Sequence, residues 1–114
     1  MSKGLFEKII DREIPADIVF ETDTVLAFRD IAPQAPVHVL VIPKKPYARL
    51  VHVPVEEKEL LGELLLAVQE VAHLTGIAES GFRTVINNGK DAGEAVPHLH
   101  LHVLGGREME WPPG

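Results

Sequence analysis

The chain has 114 residues, of which 46% are hydrophobic and 25% charged, with a formal net charge of −6. That length makes a single domain, residues 1–114, with enough chain for one real core. The acidic balance argues against binding nucleic-acid backbones, no apolar run reaches the roughly 18–20 residues that cross a bilayer, and the absence of cysteine excludes disulfides and thiolate metal sites.

At the N-terminus, Met1 to Glu7 turns charged at once and lacks an apolar signal core, so a cytoplasmic location is expected. Ser2 is placed to cap a short helix over residues 3–11, where Leu5, Phe6, Ile9 and Ile10 recur at helical spacing. Ile14-Pro15 should end it, because the residue before proline avoids the helical region. Two short strands follow, near Ile18–Glu21 and Val25–Arg29, joined by a turn at Thr22-Asp23-Thr24. A loop with two prolines, Asp30 to Pro36, leads into Val37–Pro43. That run is β-branched and apolar, and reads as a central strand buried on both faces.

The spacing then predicts a long helix from about Pro54 to Thr75. Leu60, Leu61, Leu64, Leu65, Val68, Val71 and Ala72 form its apolar stripe, and Gly76 suits its C-terminal cap. Phe82–Asn87 reads as a strand, and 88–94 as a polar loop with glycines. The order of elements lacks the strand–helix alternation of a doubly wound sheet. It points to an α+β fold, with about five mostly antiparallel strands and helices packed on the sheet.

The most informative stretch is His98-Leu99-His100-Leu101-His102-Val103-Leu104, which holds half of the chain's six histidines. In a strand, side chains alternate between faces. The three histidines would line one face, with imidazoles roughly 6–7 Å apart by the strand rise, and Leu99, Leu101 and Val103 would enter the core. In a helix the same rings would splay over about 200° and form no site. A row of groups that titrate near neutrality suits metal binding, phosphoryl transfer or proton transfer.

This stretch resembles the His-x-His-x-His-x-x motif, with apolar x, of the histidine triad superfamily. Asp30 to His38 with Leu40 to Lys45, Leu104 to Arg107, and the terminal Trp111-Pro112-Pro113-Gly114 are similar to the nucleotide-binding branch, the purine nucleoside phosphoramidases. The likeness runs from Phe6 to Gly114. It implies hydrolysis of a purine nucleoside 5′-phosphoramidate through a covalent nucleotidyl-histidine. His100 matches the nucleophile, and neutral imidazole is competent for that near pH 7. His98 and His102 match the histidines that hold the phosphoryl oxygens, and His38 the one that supports the triad from a neighbouring strand. Asp30 would bind the ribose hydroxyls. Asn87 and the backbone at Gly93 would contact phosphate. Phe6, Ile9, Ile14, Phe28, Ile31 and Leu40 would form the purine slot, with Arg29 at its mouth. The resemblance also implies a two-fold homodimer; the tail, with its lone Trp111, is expected to lie across that interface and place Trp111 near the partner's leaving-group side. The only small-molecule partner expected is a purine nucleotide. Because His100 needs a free ring nitrogen, no metal or other cofactor is expected.

Three residues depart from the family pattern. Ala95 stands where Ser or Thr is usual, a hydroxyl expected to help the departing nitrogen. Glu94 stands where glutamine is common, and a carboxylate beside a phosphate is unfavourable unless protonated or turned away. Pro97 replaces a bulky residue and suits the start of a strand. Ala95 and Glu94 both belong to the leaving-group side. Two other readings stay open: a zinc hydrolase ligated by His98 and His100 with His102 or His38, and a non-catalytic purine nucleotide-binding or regulatory protein.

Overall fold

The chain forms strands β1 (Ile18–Glu21), β2 (Val25–Arg29), β3 (Val37–Pro43), β4 (Phe82–Ile86) and β5 (Leu101–Gly105), with helices α1 (Leu5–Ile10) and α2 (Lys58–Leu74). These come from a computed structural model that describes residues 3–114. The strands pair in the order β1-β2-β3-β5-β4, each antiparallel to its neighbours. This is the α+β arrangement expected, with one short N-terminal helix and one long helix.

β3 sits at the centre and is buried on both faces, as its apolar run from Val39 to Pro43 requires. Val39 and Val41 point to the face that α2 covers, where they meet Leu64, Val68 and Val71. Leu40 and Ile42 point to the opposite face and join Phe6 and Ile9 of α1. Leu64 and Val71 are fully buried, and each such side chain contributes about 1.5–3 kcal/mol on leaving water. The long helix therefore closes one face of the sheet, and the second face is left to α1 and a cavity.

Several boundaries differ from expectation. Ser2 lies outside the described residues; the residue ahead of α1 is Gly4, whose N–H donates to Glu7 Oε1 at 3.4 Å. α1 stops at Ile10, before Ile14-Pro15. Arg12 adopts a left-handed conformation (φ 64°), and the N–H groups of Glu13 and Ile14 turn back to Lys8 O. In the long helix, residues 55–57 form a 3-10 turn and the α-helix begins at Lys58. Its buried stripe takes Ala67 rather than Leu65, which is exposed because it lies past the edge of the 60–64–67–68–71 row. Gly76 ends the helix as expected, with φ 78° and with Ile77 N–H returning to Ala72 O.

The histidine stretch is only partly a strand. β5 begins at Leu101, so His98 and His100 precede it. Continuing the β3–β5 register would set Leu99 opposite Pro43, which has no N–H to give. Leu99 N–H instead donates to Tyr47 O at 2.7 Å. The alternation survives: Leu99, Leu101 and Val103 are all buried in the α2-side core, while the histidines take the other face.

Candidate active site

On the α1 side of the sheet a cavity of about 370 Å³ opens between α1, the strand edges and the loop over residues 87–96. Phe6, Ile9, Ile14, Phe28 and Leu40 line its apolar part, as the sequence suggests. Leu5, Pro15, Ala16 and Val96 line it too, and the sequence reading missed them. Ile31 lines it while almost wholly exposed, so it is a rim residue and not part of a closed slot. Arg29 is also at the rim, 3.4 Å from Asp17. The polar end is made by Asp30, Asn87, Gly93, Ala95, His100 and His102. His38, His98, Glu94 and Trp111 do not line the cavity.

The hydrogen bonds assign a proton to each ring. Gln34 N–H donates to His38 Nδ1 at 3.0 Å, so His38 carries its proton on Nε2. That Nε2 lies 2.9 Å from His102 Nδ1. His102 Nδ1 therefore accepts, and its own proton sits on Nε2. Register explains the meeting: His102 stands opposite Leu40 and His38 opposite Leu104, which makes the two histidines diagonal neighbours on one face. His98 Nε2–H donates to Pro43 O at 2.9 Å. His100 Nδ1–H donates to His98 O at 2.7 Å. In the neutral ring that bond puts the proton on Nδ1 and the lone pair on Nε2 of His100. The ring centroids of His100 and His102 are 5.1 Å apart, closer than an extended strand would set them, because the backbone leaves strand pairing at His100.

Burial favours the neutral form of His38, His98 and His102. It lowers the pKa of His38 against a smaller opposing pull from Asp30, and lowers that of His98 against its bond to Pro43 O. His102 is pushed down to about 4, by burial first and then by the neighbouring His100 and His38. Asp30 is fixed by Ala32 N–H, which donates to Oδ1 at 2.8 Å, and its Oδ2 lies 3.5 Å from His38 Nε2.

The donor set that the zinc reading requires is not brought together, since His98 Nε2 is engaged with Pro43 O. Among the described residues, the grouping of possible ligands that does form is Asp30, His38 and His102. A metal on His38 Nε2 would have to displace the proton that Gln34 N–H fixes there.

Glu94 does not confront the cavity as an isolated charge. Its Oε2 meets Arg49 Nη2 at 2.6 Å and its Oε1 accepts from Gly89 N–H at 3.1 Å. Arg49 was missed from the sequence; the signal that could have found it is Glu94 itself, a carboxylate needing a cation. The C-terminal tail is tied down by its own chain. Trp111 is exposed with the Arg83 guanidinium 5.9 Å from its ring centre, Arg83 donates to Glu110 O, and Arg107 Nε donates to Gln34 O.

A model of the HIT domain matches residues 11–109, which includes every histidine of this cluster. The chain belongs to the HIT domain family. Within it, an uncharacterized HIT-like protein of Synechococcus elongatus is 60% identical, covering 96% of each chain. A protein of Arabidopsis thaliana named adenylylsulfatase HINT1 is 50% identical, covering 99% of this chain and 78% of the relative. Among solved structures, a HIT family hydrolase from Legionella pneumophila superposes with a TM-score of 0.95 at 49% identity, covering 98% of this chain and all of that one.

Proposed function

We propose that this HIT protein hydrolyses purine nucleoside 5′-phosphoramidates to the nucleoside monophosphate and an amine, by way of a nucleotidyl group on His100. The observation that carries the reading is the Nδ1–H of His100 held by His98 O at the floor of an apolar cavity. In the neutral tautomer that this bond selects, Nε2 is the nitrogen that carries the lone pair. Nε2 attacks the α-phosphorus, the P–N bond breaks, and the amine departs with the bonding pair and takes up a proton. Water then attacks phosphorus, the bond to His100 breaks, and the water's protons pass to product and solvent.

His102 Nε2–H is the donor for a phosphoryl oxygen, with His38 fixing its tautomer. Asn87 and the backbone at Gly93 hold the phosphate, aided by a left-handed glycine (φ 77°) that leaves no Cβ in the way. Asp30 takes the ribose hydroxyls, and the purine stacks among Phe6, Ile9, Phe28 and Leu40. His98 braces the backbone and does not touch substrate. The name of the Arabidopsis relative extends the leaving groups to sulfate. The protein acts as a cytoplasmic homodimer. Exposed Leu65, Leu66 and Leu74 on α2 and exposed Phe82 on the edge strand β4 support that reading, and the dimer sets Trp111 beside the partner's leaving group.

The test is to mix the protein with adenosine 5′-phosphoramidate and quench in base. About one adenylyl group per chain should be trapped on His100 if its hydrolysis is slow enough. His100→Ala should trap none and lose turnover, whereas chelator-stripped wild type should keep it. Near-normal turnover by His100→Ala removes the proposal.

A further inference from the structure

Glu94 lies between two residues that line the cavity, Gly93 and Ala95, and only 9% of its side chain is exposed. The Gly89 N–H, and then Arg49, keep its carboxyl below the usual range. It is an anion, and Arg49 is its counter-cation. Arg49 has donors to spare. A guanidinium offers five N–H groups in a fixed fork. Here Nη2 engages Glu94, while Nε is buried with no hydrogen-bond partner. An orphaned buried donor is rare and calls for a reason.

The backbone around Arg49 is fixed at two points. Tyr47 O accepts from Leu99 N–H at 2.7 Å, and Val51 N–H donates to Asn88 Oδ1 at 3.0 Å. Arg49 lies midway between them, clamped to the triad segment on one side and to the phosphate loop on the other. Its side chain is about one-third exposed (34%), so a ligand can reach it.

We propose that Arg49 is a specificity residue for the leaving group. Held by Glu94 at the margin of the cavity, its guanidinium favours substrates whose departing group is an anion, such as the sulfate of 5′-adenylyl sulfate, over those that release a neutral amine. This rests on His100 as the nucleophile. An amine leaves with the P–N electron pair and needs a proton, and Ala95 supplies no hydroxyl to help. Sulfate leaves with the P–O electron pair as a stable dianion and needs no proton, but it gains from a cation. In that reaction the His100 Nε2–P bond forms as the P–O(sulfate) bond breaks. Water later replaces His100 on phosphorus, releasing adenosine monophosphate and protons.

The experiment compares kcat/KM for 5′-adenylyl sulfate and adenosine 5′-phosphoramidate. Both substrates give the same adenylyl-His100, so later hydrolysis is common and kcat/KM reports the step at which they differ. In the double variant Arg49→Gln/Glu94→Gln, the sulfate-to-amidate ratio should fall about tenfold, the size of one charge-assisted contact. General damage to the site lowers both rates and leaves the ratio alone. If the double variant does not fold, Arg49→Lys serves instead, because it keeps the ion pair and loses the planar fork. A fall of less than about threefold, short of one such contact, overturns the assignment. Wild type that uses neither substrate, or full activity in His100→Ala, would overturn the underlying nucleophile reading instead.

Discussion

Nε2 of His38 stands 2.9 Å from Nδ1 of His102, and the tautomer of each ring follows from the donor before it, beginning at Gln34 N–H. A backbone amide in the loop ahead of β3 thus decides which nitrogen of His102 faces the cavity with a proton.

His38→Leu removes the donor and strands His102 Nδ1 in a buried place. Such a loss costs about 1–3 kcal/mol, so kcat/KM should fall about 10- to 100-fold. His38→Gln carries an amide N–H near the position of Nε2 and should recover part of it. Nitrogen NMR of His102 checks the cause: the Leu variant should show mixed tautomers. A single unchanged tautomer with full activity would show that His38 only fills space.

Stability should depend on pH through the buried rings. His102 has a pKa lowered from 6.5 to about 4, and His38 and His98 are lowered as well. The unfolded chain therefore binds protons that the folded chain refuses. The stabilisation is complete above pH 6.5 and is lost as pH falls from there towards 4. One such ring gives a slope approaching about 1.4 kcal/mol per pH unit inside that window. Urea midpoints should drop between pH 7 and pH 5, and less steeply in His102→Asn. Equal slopes in the two proteins would mean that His102 is not among the groups responsible.

Gly105 closes β5 where the strand passes beneath Ile77. A Cβ at Gly105 would meet Ile77 Cδ1 at 2.7 Å and Cγ2 at 3.1 Å. Gly105→Ala should therefore destabilise by about 1–3 kcal/mol through overpacking. Ile77→Val removes the nearer atom, so the double variant should be more stable than the sum of the single changes. Thermal or urea unfolding of all four proteins measures the coupling, and strict additivity would count against the contact.

The strands were legible because short β-branched and apolar runs bounded by turn residues leave little choice, and in the histidine stretch because the pattern has period two. The α2 stripe and its glycine cap were legible for similar reasons. What escaped depended on partners distant in the chain. The start of β5 is set by Pro43 on another strand, which no local pattern reports. The early end of α1 depends on a left-handed Arg12, a conformation that arginine seldom signals. Within the site, the motif histidines could be read directly, whereas the apolar lining came only through the family likeness, because each of its residues is also an ordinary core residue by composition. Arg49 could not be read, because its role comes from an ion pair with Glu94 across 45 positions of sequence.

Phe6 meets three other rings edge-on: Phe28 at 5.6 Å, His98 at 5.7 Å and His100 at 5.3 Å between centroids. One phenyl group is thereby both a wall of the cavity and the bearing against which the His100 imidazole rests. An occupant pressing on that wall limits how far Phe6 can swing, and so how far His100 can tilt. The far end of a bound molecule and the atom that reacts are mechanically linked through a single hydrocarbon ring on a six-residue helix. Anything that loosens α1 from the sheet loosens the aim of His100 with it.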